Sequence, residues 1–151
     1  MGNRAVITTN KNLNEVGVYL HWNGGRDSVE AFLAYCNLKK YRKPENDCYG
    51  WVMLANVISN YFGDGCSCGV DKAHRLDCDN YDNGVYIIKD WYIVDRLFSH
   101  GEDYYYDLKD MLKEIDATQP ERMRLTAEEW GRFDEVKEET LKHRVKNLEK
   151  S

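Results

Sequence analysis

The sequence lacks the features of a membrane-spanning or secreted protein. No run approaches the roughly 18 consecutive apolar residues that a transmembrane helix needs. The N-terminal segment has no apolar stretch typical of a secretory signal, and Val6 stands where a myristoylation motif has Ser or Thr. These absences predict a cytoplasmic protein that does not contact a membrane.

Basic residues are also in short supply. The chain has 21 Lys and Arg against 26 Asp and Glu, a formal net charge of -5 and a pI of about 5.4. Nucleic-acid phosphates repel a surface of that sign, so we expect no direct nucleic-acid binding. The nucleotide-binding patterns Gly-x-Gly-x-x-Gly and Walker A are missing as well.

The overall composition is typical of a globular protein. The 151 residues are 42% hydrophobic and 31% charged, which fits a single domain over residues 1–151. Periodicity and turn residues predict an α+β fold, with a small, mainly antiparallel sheet packed against about four helices. In chain order, the predicted segments are a β-hairpin (1–25), two helices (26–63), a loop (64–79), strands (83–95) and two helices (102–150).

Several residues mark the ends of the predicted helices. The side chain of Asp27 or Ser28 is expected to cap the first helix, and Gly63 to end the second. Thr126 and Glu129 form a capping box that is expected to open one long last helix.

The 64–79 loop concentrates groups that bind metals. It contains three of the five cysteines and a histidine, and it has few apolar residues with which to order itself. Thiolates and imidazoles are the ligands of structural zinc sites, and binding of the ion would contribute folding energy. We therefore expect a structural Zn2+ that staples this loop, with the ligands Cys66, Cys68, His74 and Cys78. Two alternatives stay open: Cys48 replaces one of these ligands, or the cluster holds no metal.

A second candidate site is the segment from His21 to Ser28. A strand end, two glycines and a helix start follow one another here, as in many active-site loops, and a helix N-terminus can hold an anion. A hydrolase using His21, Asp27 and Cys36 is the enzymatic alternative. The simpler interpretation is a glycine turn with a helix cap, and a Cys36 that is typical of a core residue.

A third feature points to a protein partner. Acidic residues outnumber basic ones between residues 64 and 116, and an acidic face attracts basic clefts. Three consecutive tyrosines begin at Tyr104, and they cannot all be buried on one side of a helix. Exposed tyrosines are enriched at binding hot spots, although a solvated helix face remains the alternative. The predicted partner-binding residues are Asp103, Tyr104, Tyr105, Asp107 and Asp110.

Four stretches of the chain resemble small proteins of phages and prophages in Gram-positive bacteria. They are Gly2–Ile7, Gly17–Gly25, Asp47–Trp51 and Asp79–Trp91, and the similarity covers roughly residues 1–120. The chain is also similar to zinc-containing anti-CRISPR proteins that inhibit type II-A systems. This resemblance implies binding to the RNA-guided nuclease Cas-nine in the host cytoplasm, at its recognition lobe. It further implies that target DNA loading is blocked without catalysis, and target DNA enters Cas-nine along positively charged protein surface.

Overall fold

The computed structural model describes residues 2–63, 67–102 and 104–150, with side chains up to residue 147. Its strands and longer helices confirm the α+β class. In chain order they are β1 (Ala5–Thr8), β2 (Val16–Leu20), α1 (Arg26–Leu38), α2 (Cys48–Phe62), β3 (Cys68–Lys72), β4 (Val85–Lys89), β5 (Tyr92–Leu97), α3 (Leu108–Thr118), α4 (Ala127–Trp130) and α5 (Phe133–Lys150).

The five strands form one sheet in the order β3-β2-β1-β4-β5. The predicted hairpin is present, since β1 and β2 pair antiparallel with Ala5 opposite Leu20. β4 and β5 are also antiparallel, whereas β1 and β4 run parallel with Val6 opposite Val85. The sheet is therefore mainly antiparallel, as predicted, with one parallel pair at its centre.

β3 was not predicted, because the whole 64–79 segment was expected to be an irregular loop. It pairs antiparallel with β2, with Val70 opposite Val18. The ladder continues at both ends of the pair: His21 N donates to Ser67 O at 2.9 Å, and Ala73 N donates to Glu15 O at 2.8 Å. Residues 67–73 are thus ordered by main-chain hydrogen bonds to β2 and to the residues that flank it.

The main core lies between one face of the sheet and the helices. α1 crosses this face and is covered by α2, α3 and α5, so nearly all of its side chains are buried. The opposite face of the sheet carries a smaller apolar cluster that includes Val6, Val85 and Ala73. None of the helices in the described part of the chain is long and apolar enough to cross a bilayer.

The helix ends agree with the predictions in some places and differ in others. Asp47 caps α2 by accepting a hydrogen bond from Tyr49 N at 2.8 Å, and Gly63 ends that helix at φ 75°. The capping box is present, but it opens the four-residue α4, and the chain turns at Gly131 before α5 starts. The single long last helix was therefore wrong, because residues 131 and 132 separate α4 from α5.

The predicted cap of α1 was also wrong. The residue that precedes the helix is Gly25, which has no side chain to cap it. Asp27 lies within the first turn of α1 and not ahead of it, and its carboxylate is used for contacts described next.

Candidate binding surface at the start of helix α1

The turn between β2 and α1 is held tightly against the rest of the protein. A Cβ atom at Gly24 would lie 2.4 Å from the backbone oxygen of Asn3, so no other residue fits there without a shift. Gly24 N donates to the same Asn3 oxygen at 2.8 Å, and Gly24 O accepts a hydrogen bond from the Tyr86 hydroxyl at 2.7 Å. The position of the first turn of α1 is fixed as a result.

Asp27, in that first turn, anchors a distant part of the chain. Its side chain is almost fully buried, and its Oδ2 accepts hydrogen bonds from Tyr105 N at 2.5 Å and Tyr106 N at 2.7 Å. Its Oδ1 accepts from Ser28 N at 2.7 Å. The structure thus brings together two regions that the sequence suggested separately, the 21–28 turn and Tyr104–Tyr106, which we call the tyrosine segment.

A buried ionic network lies beside this anchor. Arg26 Nε donates to Glu30 Oε2 at 3.0 Å, and Arg144 of α5 donates to the same carboxylate from Nε at 3.0 Å. Arg26 Nη1 also lies 3.9 Å from Glu102 Oε1, and Glu102 is paired with Arg96 of β5. Burial opposes the charge of Arg144, but its hydrogen bonds to Glu30 outweigh burial and raise the pKa of Arg144. The network ties α1, α5 and β5 to the chain just before the tyrosine segment.

The tyrosine segment presents aromatic surface to solvent on this fixed frame. The Tyr105 side chain is 82% exposed, and Tyr104 and Tyr106 are also exposed. The guanidinium carbon of Arg144 lies 4.3 Å from the centre of the Tyr104 ring, a cation–π contact. The segment therefore combines a held backbone with exposed aromatic side chains, of which Tyr105 is the most accessible.

The predicted acidic partner-binding residues have different surroundings. Asp107 accepts a hydrogen bond from Asp110 N at 3.2 Å and caps α3, so it has a structural role. The side chain of Asp110 is exposed in the first turn of that helix. Asp103 lies outside the described residues. Asp107 and Asp110 are both exposed, and Asp110 is the one of the two that does not cap the helix.

The predicted zinc ligands are placed apart where the structure describes them. Cys68 packs against the main core on the helix side of the sheet, whereas Cys78 packs against the smaller cluster on the opposite face. The Cys78 thiol donates to Ala73 O at 3.1 Å, and His74 is exposed on a short 3-10 helix. Cys66 lies outside the described residues.

The described residues alone do not assemble a zinc site. Within residues 2–63, 67–102 and 104–147, no three His, Cys, Asp or Glu side chains are grouped so that they would hold a metal ion, and this includes Cys48. Burial, with the nearby charge of Asp77, raises the pKa of the Cys78 thiol. The zinc site stays a prediction, which elemental analysis of protein purified without added metal would test.

The three residues of the hydrolase alternative are not brought together. Asp27 and Cys36 are nine residues apart on one helix, which separates them by about 13 Å along its axis. Cys36 is fully buried, and burial strongly raises the pKa of its thiol. His21 is engaged elsewhere, since its Nδ1 lies 2.9 Å from the Tyr19 hydroxyl. This geometry provides no nucleophile with an adjacent base.

Sequence reasoning missed the anchor and the ionic network beneath the binding surface. The signal that was available is the pair Arg26 and Glu30, which are spaced i,i+4 at the start of a helix that is mostly apolar from Val29 onward. Charged residues are almost never fully buried unless they are paired, so such a pair in a central helix indicates an internal network. Its partner Arg144 is 114 residues away from Glu30 and carries no local signal.

Comparisons of this chain with protein-family models, with curated proteins and with solved structures found no match.

Proposed function

We propose that this protein is a non-catalytic inhibitor that binds another protein through the tyrosine segment and Asp110. The partner implied by the family resemblance is the type II-A nuclease Cas-nine, at its recognition lobe. The observation that supports the proposal best is the 82% exposure of Tyr105 on a backbone held by the buried Asp27 carboxylate.

Preorganisation is the physical reason why this arrangement suits binding. A loop that must be ordered on association loses conformational entropy, which weakens the complex. Here the N–H groups of Tyr105 and Tyr106 are already bound to Asp27, so only the side-chain rotamers remain to be fixed. A tyrosine offers a large contact area and a polar hydroxyl, and such residues dominate hot spots.

Charge supports the choice of a basic partner. The protein carries a net charge of -5, and the exposed Asp110 and Glu114 lie on α3, directly after the tyrosine segment. Cas-nine receives nucleic acid in positively charged channels, so an acidic domain is steered toward the surface that DNA would otherwise occupy. Blocking by occupation of that surface needs no chemistry on the inhibitor.

A titration of DNA cleavage by guide-loaded Cas-nine tests the proposal. We expect cleavage to be lost as the protein approaches an equal molar amount, and only when the protein is added before target DNA. Tyr105→Ala should weaken inhibition by about 30-fold, corresponding to the 2 kcal/mol typical of a hot-spot residue. Tyr81→Ala is the matched control, because Tyr81 is also highly exposed (75%) but lies in the loop that precedes β4.

Three outcomes would contradict the proposal. The first is the absence of a complex between the purified protein and Cas-nine in a pull-down. The second is inhibition at far below equal molar amounts, which would indicate an enzyme. The third is an equal loss of inhibition in Tyr105→Ala and Tyr81→Ala, which would place the contact outside the tyrosine segment.

A further inference from the structure

A small cavity of about 10 Å³ lies between α1, β5 and α5. Its polar lining consists of Arg26 and Glu30 of α1 and Thr140 and His143 of α5, and four hydrophobic side chains complete it. A buried water molecule requires a cavity of roughly 10–15 Å³ and two to four polar partners. The cavity therefore has room for one water-sized ligand and for nothing larger.

One hydrogen-bond donor at this cavity has no acceptor. Arg26 is 1% exposed, and its Nη2 forms no hydrogen bond with any residue that the structure describes. The N–H groups of Nε and Nη2 point the same way from the planar guanidinium, and Nε donates to Glu30 at 3.0 Å. Nη1, on the other side, lies 3.9 Å from Glu102. Nη2 is therefore directed toward the Glu30 side, where the cavity lies, and a buried donor of this kind normally has a partner.

Glu30 does not supply the missing acceptor. A carboxylate accepts about four hydrogen bonds. Oε2 of Glu30 accepts from Arg26 Nε and from Arg144 Nε, each at 3.0 Å. Oε1 accepts from Arg144 Nε at 3.0 Å and from Arg144 Nη2 at 2.5 Å. The four positions are thus used, and Arg26 Nη2 requires an acceptor from another group.

Two residues of α5 present acceptors at the same cavity. The Thr140 hydroxyl donates to Val136 O at 2.8 Å, which leaves its oxygen lone pairs to accept. His143 Nδ1 lies 2.9 Å from Glu139 O. A carbonyl oxygen only accepts, so Nδ1 carries the proton and Nε2 of the neutral ring accepts. The cavity thus combines one orphaned donor with two groups that accept.

We infer that one water molecule is bound in this cavity as part of the fold. It accepts a hydrogen bond from Arg26 Nη2 and donates to Thr140 Oγ1 and His143 Nε2, and three bonds are typical of a buried water. A cation here would be repelled by the Arg26 guanidinium and an anion by the Glu30 carboxylate, so a neutral ligand is favoured. The water joins the first turn of α1 to α5 beside the buried ionic network.

A pair of stacked rings separates this cavity from solvent. Tyr92 and His143 lie parallel, with an interplanar angle of 1° and ring centres 4.8 Å apart. The His143 side chain is 16% exposed, and both rings also line an outer groove of about 490 Å³. The water leaves only when these rings move apart. We therefore expect it to stay bound for longer than the protein takes to tumble in solution, since local opening is slower than nanosecond motion.

Crystallography and NMR of the full chain test the inference. A crystal structure should show one electron-density peak in the cavity, at about 2.7–3.2 Å from Arg26 Nη2, Thr140 Oγ1 and His143 Nε2. In solution, the methyl protons of Leu33 and Ile93, which also line the cavity, should give nuclear Overhauser cross-peaks to a long-lived water. Nitrogen-15 shifts should show that the neutral His143 ring carries its proton on Nδ1.

A double variant removes both acceptors and has a matched control. Thr140→Val with His143→Phe keeps the side-chain sizes similar but leaves Arg26 as the one remaining partner of the water, fewer than a buried water requires. The density peak and the methyl cross-peaks should then be lost. The control is Thr8→Val with His100→Phe. Thr8 is also buried and donates to a backbone oxygen at 2.8 Å, and His100 is also beside a tyrosine ring, but neither lines this cavity. The control should keep both signals.

Three results would overturn the inference. The first is a wild-type crystal structure with ordered water elsewhere but no density in the cavity. The second is a peak that survives in the double variant. The third is an anomalous bromide peak in the cavity of a soaked crystal, which would identify an anion site. If the double variant does not fold, the wild-type density and the methyl cross-peaks decide the matter.

Discussion

Asp27→Asn tests whether the buried carboxylate holds the tyrosine segment. The change keeps the size of the side chain but removes its charge and replaces one acceptor oxygen with an NH2 group. Asp27 Oδ2 accepts two hydrogen bonds, from Tyr105 N and Tyr106 N. A hydrogen bond to a charged group contributes about 1.5–3 kcal/mol, and water can replace part of this where the segment is exposed. We expect the free energy of unfolding to fall by about 2–4 kcal/mol.

Urea denaturation gives the loss of stability, and amide hydrogen exchange gives its location. The amides of Tyr105 and Tyr106 should exchange faster in Asp27→Asn, whereas those of β1 should report only the overall loss. Asp110→Asn is the matched control, because that carboxylate is exposed and its loss should cost no more than about 0.5 kcal/mol. The reasoning would be refuted by an Asp27→Asn protein as stable as the control, with unchanged exchange at the two tyrosine amides.

Three further predictions concern charged and titrating groups. Glu30→Gln should cost about 3–5 kcal/mol in urea denaturation, because it removes the charge of the buried carboxylate that Arg26 and Arg144 share. Burial raises the pKa of Asp82, but hydrogen bonds from Arg4 outweigh burial and lower it. Asp82 therefore stabilises the fold above the pKa of about 3.9 that it has in the unfolded chain, and this stabilisation is lost as pH falls through its lower pKa in the folded protein. An NMR titration should show that the pKa of Asp82 rises in Arg4→Gln. Burial raises the pKa of Tyr41 to about 12. The contribution of the protonated Tyr41 to stability is therefore present below about pH 10 and is lost as pH rises through 12. The absorbance of tyrosinate would follow this ionisation.

Elements that carry their own end signals were predictable from sequence. α2 shows this best, because Asp47 and Gly63 define its two ends through contacts within one turn. Both signals depend on short-range geometry: a carboxylate accepts from a free amide, and a glycine adopts a left-handed conformation that other residues avoid. The β1–β2 hairpin was predictable for a similar reason, since its strands are close in sequence.

Elements that depend on distant partners were not predictable in the same way. β3 has only five residues, of which Gly69, Asp71 and Lys72 are poor strand formers, so its conformation follows from pairing with β2 about fifty residues earlier. Three cysteines and a histidine near one another in sequence suggested a shared ion. Cys68 begins β3, however, whereas Cys78 follows the 3-10 helix after that strand, and the two side chains pack on different sides of the sheet.

The last helix shows how such distant contacts connect the fold to the binding surface. α5 covers α1 with buried side chains such as Phe133 and Val136, so it belongs to the same core as the hairpin. Its Arg144 neutralises Glu30 inside α1 and also lies over the Tyr104 ring. One guanidinium thus both satisfies a buried carboxylate and supports the first residue of the tyrosine segment. The exposed tyrosines therefore depend on α5 as well as on Asp27, and the surface we propose for partner binding is held from both ends of the chain.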